Sequence, residues 1–265
     1  MKLFKLGVLA ISLGLTATAH ADVENLSDWQ SDGDGVWSYS EDTNSWFQAK
    51  NTAETVFLYD PDSQALGKAI TGHIGVGESI DDDVIGFALG YEGGDLYNDD
   101  ADYWLVSWKK RTQNQWAIGF DLWHITGALS GQSLWSFTDI AHVEHIANAN
   151  TLATTGWSTN TEYSFDITYN EKALGVFVGD SLEFGITAEG AGVSEFSEGG
   201  FAFVNFSQDS VTYKGVQFDD IEQIVSNEKL EQLASAVPVQ FGAFAWLGLA
   251  SAGLLANRKK GVKCA

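Results

Sequence analysis

Apolar and polar positions along this chain alternate in short blocks. Runs rich in aromatic and β-branched residues recur at 37–39, 45–50, 55–59, 69–76, 84–91 and 102–109. They continue at 116–125, 134–138, 142–146, 163–169, 174–178, 182–187, 201–206 and 211–218. Polar turns separate them, which is the pattern of half-buried strands. In the run 102–109, a period of two puts Tyr103, Leu105 and Ser107 on one face and Trp104, Val106 and Trp108 on the other. The connections at 169–172 and 179–181 are short enough for hairpins. Helical periodicity is confined to about 220–234, a charged stretch that reads as a stalk. Many short strands at regular spacing predict an all-β sandwich of antiparallel sheets.

The two ends carry a different pattern. Residues 1–21 hold Lys2 and Lys5, an apolar run from Leu6 to Ala17, and Ala19-His20-Ala21. That order is expected of a secretory signal peptide, with the mature chain starting at Asp22. The second apolar segment, 239–256, has no charged residue and is followed by Arg258, Lys259, Lys260 and Lys263. Its 18 residues would cover about 27 Å as a helix, enough for a bilayer core. The basic cluster predicts a transmembrane helix whose C-terminal end stays cytoplasmic. The expected organisation is a signal peptide (1–21), a β-sandwich domain (22–218), a stalk (219–236) and a membrane or sorting tail (237–265).

Charge agrees with a body outside the cell. All 36 acidic residues lie between the two apolar ends, with only eight of the 14 basic ones, a net charge of −28 there. Such a surface repels nucleic acid and anionic lipid and attracts divalent cations. The one cysteine, Cys264, lies beyond the apolar tail, so no disulfide braces the body.

Several motifs then carry family resemblances. Asp81-Asp82-Asp83-Val84-Ile85-Gly86-Phe87-Ala88-Leu89-Gly90-Tyr91 is the most specific. Gly72-His73-Ile74 precedes it. Tyr103-Trp104-Leu105-Val106-Ser107-Trp108-Lys109, Leu134-Trp135, Gly156-Trp157, Gly199-Gly200 and Phe206-Ser207-Gln208-Asp209 follow in order. Together they resemble the C-terminal lectin-like domain of thrombospondins, over about 35–218. The resemblance implies a concanavalin-like jelly roll and a tendency to bind calcium. The calcium-binding repeats that precede the domain in thrombospondins are absent, as is Arg-Gly-Asp. Val237-Pro238, the apolar segment with Trp246, and Arg258-Lys259-Lys260 resemble the bacterial PEP-CTERM surface-sorting signal, without its Pro-Glu-Pro. That likeness implies a sortase-like processing protease as a partner.

Calcium takes six to eight hard oxygens, which clustered carboxylates on turns supply. By composition alone, the acidic clusters read as a solvated face. With the resemblance, Asp81, Asp82 and Asp83 become the first candidate for Ca2+; Asp99 and Asp100, with Asp95, Asn98 and Asp102 on the acidic loop 92–102, are the second, on their charge alone. Asp32-Gly33-Asp34-Gly35 and Asp60-Pro61-Asp62 are weaker candidates, common as plain turns.

Catalytic patterns are missing. His142 and His145, three apart on a strand, would face opposite sides. There is no Gly-x-Ser-x-Gly, phosphate loop or Rossmann fingerprint. The Glu-x-Asp-x-x-Glu strand of concanavalin-like glycosidases is absent too; Glu162 to Asp166 has the wrong spacing. The expected function is therefore non-catalytic: calcium-assisted adhesion, or binding of an extracellular glycan or matrix component, at a cell surface, with the inner membrane engaged through the tail. A passive matrix component and a glycan-cleaving enzyme are the alternatives.

Overall fold

The computed structural model describes residues 22–221 except Ala53, Gln115 and Ser133. The expected signal peptide and tail, and all but the first residues of the stalk, lie outside the described residues. Among the described residues, no helix is long and apolar enough to cross a membrane.

Among the described residues, fourteen strands form two antiparallel sheets. Their bounds are β1 Gln30–Asp32, β2 Trp37–Ser40, β3 Ser45–Gln48, β4 Thr55–Tyr59, β5 Lys68–Val76, β6 Val84–Tyr91 and β7 Tyr103–Lys109. The rest are β8 Gly119–Ile125, β9 Val143–Asn148, β10 Thr161–Asn170, β11 Ala173–Val178, β12 Ser181–Thr187, β13 Gly200–Phe206 and β14 Val211–Asp220. Sheet one runs β1-β4-β13-β6-β7-β8-β9 and sheet two β12-β11-β10-β5-β14-β3-β2. The two short turns noted in the sequence do join β10 to β11 and β11 to β12.

The alternation read in 102–109 holds. Trp104, Val106 and Trp108 enter the core between the sheets, where Phe87, Phe165, Phe201 and Phe203 also pack. Tyr103 and Leu105 enter a second cluster on the outer face of sheet one. That face is not open to water. The connections 92–102, 110–118 and 126–142 lay Leu96, Trp116, Leu129, Phe137 and Ile140 across it. Strands β4, β6, β7 and β13 are consequently buried on both faces. This explains the nearly continuous apolar character of 84–91, which strict alternation would not produce. Sheet two keeps one solvated face, with β5 alternating between buried and half-buried residues.

Besides shifts of one to three residues at several strand ends, three features differ from the sequence reading. The segment 134–138 is not a strand; Leu134–Asp139 is 3-10, with a kink at Ser136. Phe137 there stacks on Trp116, with centroids 4.5 Å apart, so packing over the sheet decides the backbone. The polar edge strand β1 has no apolar alternation to announce it. The last strand runs to Asp220, two residues into the expected stalk.

Candidate metal centre

Asp81, Asp82 and Asp83 lie just before β6, held from several sides. The Asp81 N–H donates to Ser79 Oγ (3.0 Å) and the Asp82 N–H to Asp81 Oδ1 (3.0 Å). The Asp83 N–H donates to Gln208 Oε1 (3.1 Å), and Trp157 Nε1 donates to the Asp83 carbonyl (2.9 Å). Gln208, fully buried, also donates to Ser79 Oγ (3.2 Å). The β13–β14 turn, Ser207 to Ser210, thus clamps the acidic run. Ser207 and Ser210 adopt φ of 53° and 60°, the left-handed region that shapes this turn. Two motifs 125 positions apart meet at the Gln208 side chain.

One carboxylate oxygen from each of Asp81, Asp82 and Asp83 lies within 4.8 Å of the other two. Oxygens sharing one calcium at 2.3–2.6 Å can be no more than about 5 Å apart, so the spacing suits a single ion. Asn51 Nδ2 donates to Asp81 Oδ2. Asp209 adds charge beside Asp81, and its buried Oδ1 makes no hydrogen bond among the described residues. Burial is the main force raising the Asp81 carboxyl, to about 6; the Asp82 N–H opposes it, and Asp83 and Asp209 add to it. Carboxyls crowded until one resists ionisation are what a hard cation relieves.

The cluster also has its own cations. Lys109, fully buried, places Nζ 2.5 Å from Asp83 Oδ1 and 3.1 Å from Gln113 Oε1. Arg111 stands 3.7 Å from Asp82, and Lys110 reaches the Asp81 carbonyl at 3.4 Å. One Asp83 oxygen is therefore committed to Lys109. The carboxylates left to a hard cation are Asp81, Asp82 and the other Asp83 oxygen, with the charge of Asp209 nearby. That all-oxygen, carboxylate-rich set fits calcium better than a transition metal.

Asp99 and Asp100 do not join this cluster. Both are exposed on the β6–β7 connection, at the opposite end of β6 from Asp81–Asp83. Eight strand residues put the two groups about 26 Å apart. The β6–β7 hairpin separates them.

Linkage gives the cluster a pH signature. Asp81 holds its proton more tightly folded than unfolded, so its contribution is full below pH about 4 and is lost as pH rises through about 6. In chelator, the chain is expected to melt higher at pH 5 than at pH 7 by up to about 1 kcal/mol, allowing for solvent screening. Asp81→Asn should flatten that part of the profile, as read by thermal melts across pH. An unchanged profile would show that Asp81 is not the group responsible.

A Ser–Asp–His grouping elsewhere lacks catalytic geometry. Asp102 Oδ1 accepts from Ser197 Oγ (2.7 Å) and pairs with His124 Nε2 (2.8 Å). The carboxylate sits between the other two, whereas a nucleophile needs the base bonded to its own hydroxyl. His142 and His145 also diverge, to the Ala128 carbonyl and to Asp121.

No protein-family model and no curated protein sequence matches the chain. Solved structures do. The carbohydrate-binding module CBM66 from Bacillus subtilis aligns at 12% identity and a TM-score of 0.51, covering 74% of this chain and 97% of that one. A Bacillus subtilis protein of unknown function with a galectin-like fold aligns at 12% identity and a TM-score of 0.51, covering 74% and 90%. At this identity the likeness gives the fold, a two-sheet sandwich of lectin type.

Proposed function

We propose that this chain is an exported, surface-anchored binding module that engages an extracellular glycan, is stabilised by calcium and catalyses no reaction. The observation that carries the reading is the crowded Asp81–Asp82–Asp83 cluster beside the unpartnered Asp209 oxygen, built into one end of a lectin-type sandwich. Calcium bound there would neutralise carboxylates that now repel one another. Kinship with the thrombospondin C-terminal domain is part of this proposal. Its support is that two of the resembling motifs, 81–91 and 206–209, are in contact through Gln208.

The test is a melt of the chain with calcium, magnesium or sodium chloride. Calcium binding only the folded state adds about 2.7 kcal/mol at a hundredfold excess over Kd. Magnesium, with its tighter octahedral shell, should do less, and salt least. Asp81→Asn with Asp82→Asn should abolish the calcium-selective part while leaving the Lys109–Asp83 pair intact. Equal responses to calcium and magnesium, unchanged in the double variant, would reduce the cluster to a screened acidic surface.

Anchoring and export rest on the sequence of 1–21 and 237–265. Cell fractionation should find the body outside the inner membrane, starting at Asp22. Deleting 238–265 should release it, and with it any contact with a sortase-like protease. An uncleaved cytoplasmic product would contradict export.

A further inference from the structure

A second site lies at the other end of β6. The turns that leave β4 and β6 stand apart there and enclose a cleft of about 440 Å3. That is within the range of small-molecule sites, roughly 300–1,000 Å3. Gln30, Asp60, Gln64 and Glu92 line it, and neither lysine nor arginine does. Gln30, Gln64 and Glu92 are exposed side chains, and Asp60 is half-buried.

Tyr59 is a wall of the cleft. Its ring is largely buried, at 8% exposure, while its hydroxyl keeps some access to solvent on the cleft side. Burial first, and then the charge of Asp32, raises its pKa, so it stays a neutral donor. The hydroxyl lies against the backbone of Gly93, where a Cβ would come within 2.6 Å of it. Glycine at 93 therefore leaves the hydroxyl beside the cleft rather than under a side chain. A hydroxyl on the wall of a cleft can exchange its water partner for a hydroxyl of a ligand.

The donor set selects a class of ligand. Carboxylates accept from adjacent hydroxyls, carboxamides both donate and accept, and the phenol donates. An anionic ligand would meet Asp60 and Glu92 with nothing to offset its charge. We propose that this cleft binds the neutral, hydroxyl-rich end of a glycan and rejects uronic or sulfated chains. The proposal rests on the reading that the chain binds glycans and adds where the sugar sits and of what kind.

The test uses the full chain on a panel of neutral oligosaccharides with their uronic and sulfated counterparts, followed by titration of any binder. The parent should bind at least one neutral member and no acidic one. Tyr59→Phe, which breaks no described hydrogen bond, should weaken that binding about tenfold, and Glu92→Ala and Gln64→Ala similarly. Glu171→Ala, on the β10–β11 turn, should leave it unchanged. Full binding in the three cleft variants would overturn the site while the glycan reading stands. Equal or tighter binding of acidic chains would overturn the ligand class. A parent that binds no glycan would overturn both the reading and the site.

Discussion

Asp83→Asn is expected to cost the chain about 3–5 kcal/mol, because it leaves the Lys109 ammonium buried without a counter-charge. Lys109 has no exposed surface, and its remaining neighbours are Gln113 Oε1, the Asp82 carbonyl at 3.5 Å and the Trp135 ring at 5.5 Å. None of these carries a negative charge. Lys109→Met should also destabilise, since it leaves Asp83 facing Asp81. The double variant, Lys109→Met with Asp83→Asn, should recover most of the loss, because replacing a whole buried pair is often close to neutral. Urea denaturation of the four proteins closes the cycle. Lys109→Met should also gain more from calcium than the parent does, since the ion would replace the lost ammonium. A cost below about 1 kcal/mol for Asp83→Asn would mean that this pair is not what holds the start of β6.

Phe203→Ala should be comparably severe, at about 3–5 kcal/mol. Phe203 has no exposed surface at the centre of the inter-sheet core. Its ring lies 4.6 Å from that of Tyr213, 5.0 Å from Phe201 and 5.7 Å from Trp29. Side chains from both sheets converge on it, so the space left cannot close without moving one of them. Phe47, 38% exposed on β3, is the contrast. Phe47→Ser should change the denaturation midpoint little, within about 0.5 kcal/mol. If the two substitutions prove alike, the core is not where the packing places it.

The strands were legible because their signal is local. A period of two in 102–109 assigns each side chain to a face, and Trp104 and Tyr103 lie as that period requires. The 134–138 segment misled because aromatic content suggests a strand, while its backbone answers to Trp116 and Trp123 across the outer cluster. Aromatic content suggests the inter-sheet core for most of the ten tryptophans. Trp29, Trp104, Trp108 and Trp157 are there, but Trp116 and Trp123 belong to the second cluster, which no local pattern announces.

The candidate site was half legible. Asp81–Asp83 stood out as a run of charge before an apolar strand. What surrounds it depends on pairing between distant strands. Gln208 and Asp209 reach it through the β13–β14 turn, and Asn51 comes from the segment before β4. Lys109 was visible only as the end of a strand; its role needs the β6–β7 register, which sets Val84 opposite it. Of the Tyr59 cleft the sequence showed only Asp60-Pro61-Asp62 and the acidic loop from Glu92, read as metal candidates; that they border one cleft depends on the turns after β4 and β6.

The place of β14 bears on how an anchored chain would carry mechanical tension. The strand is internal to sheet two, bonded to β5 along most of its length and to β3 along its first half. Its end at Asp220 is pinned by Lys68 at 3.1 Å. A pull along this strand from its C-terminal end would load the row bonded to β5 in shear, joined by the row bonded to β3 over 211–214. An edge strand would instead peel away one bond at a time. Were the chain anchored through its tail, as proposed, a drag on a ligand would reach the anchor through β14 without unzipping the sheet from an edge.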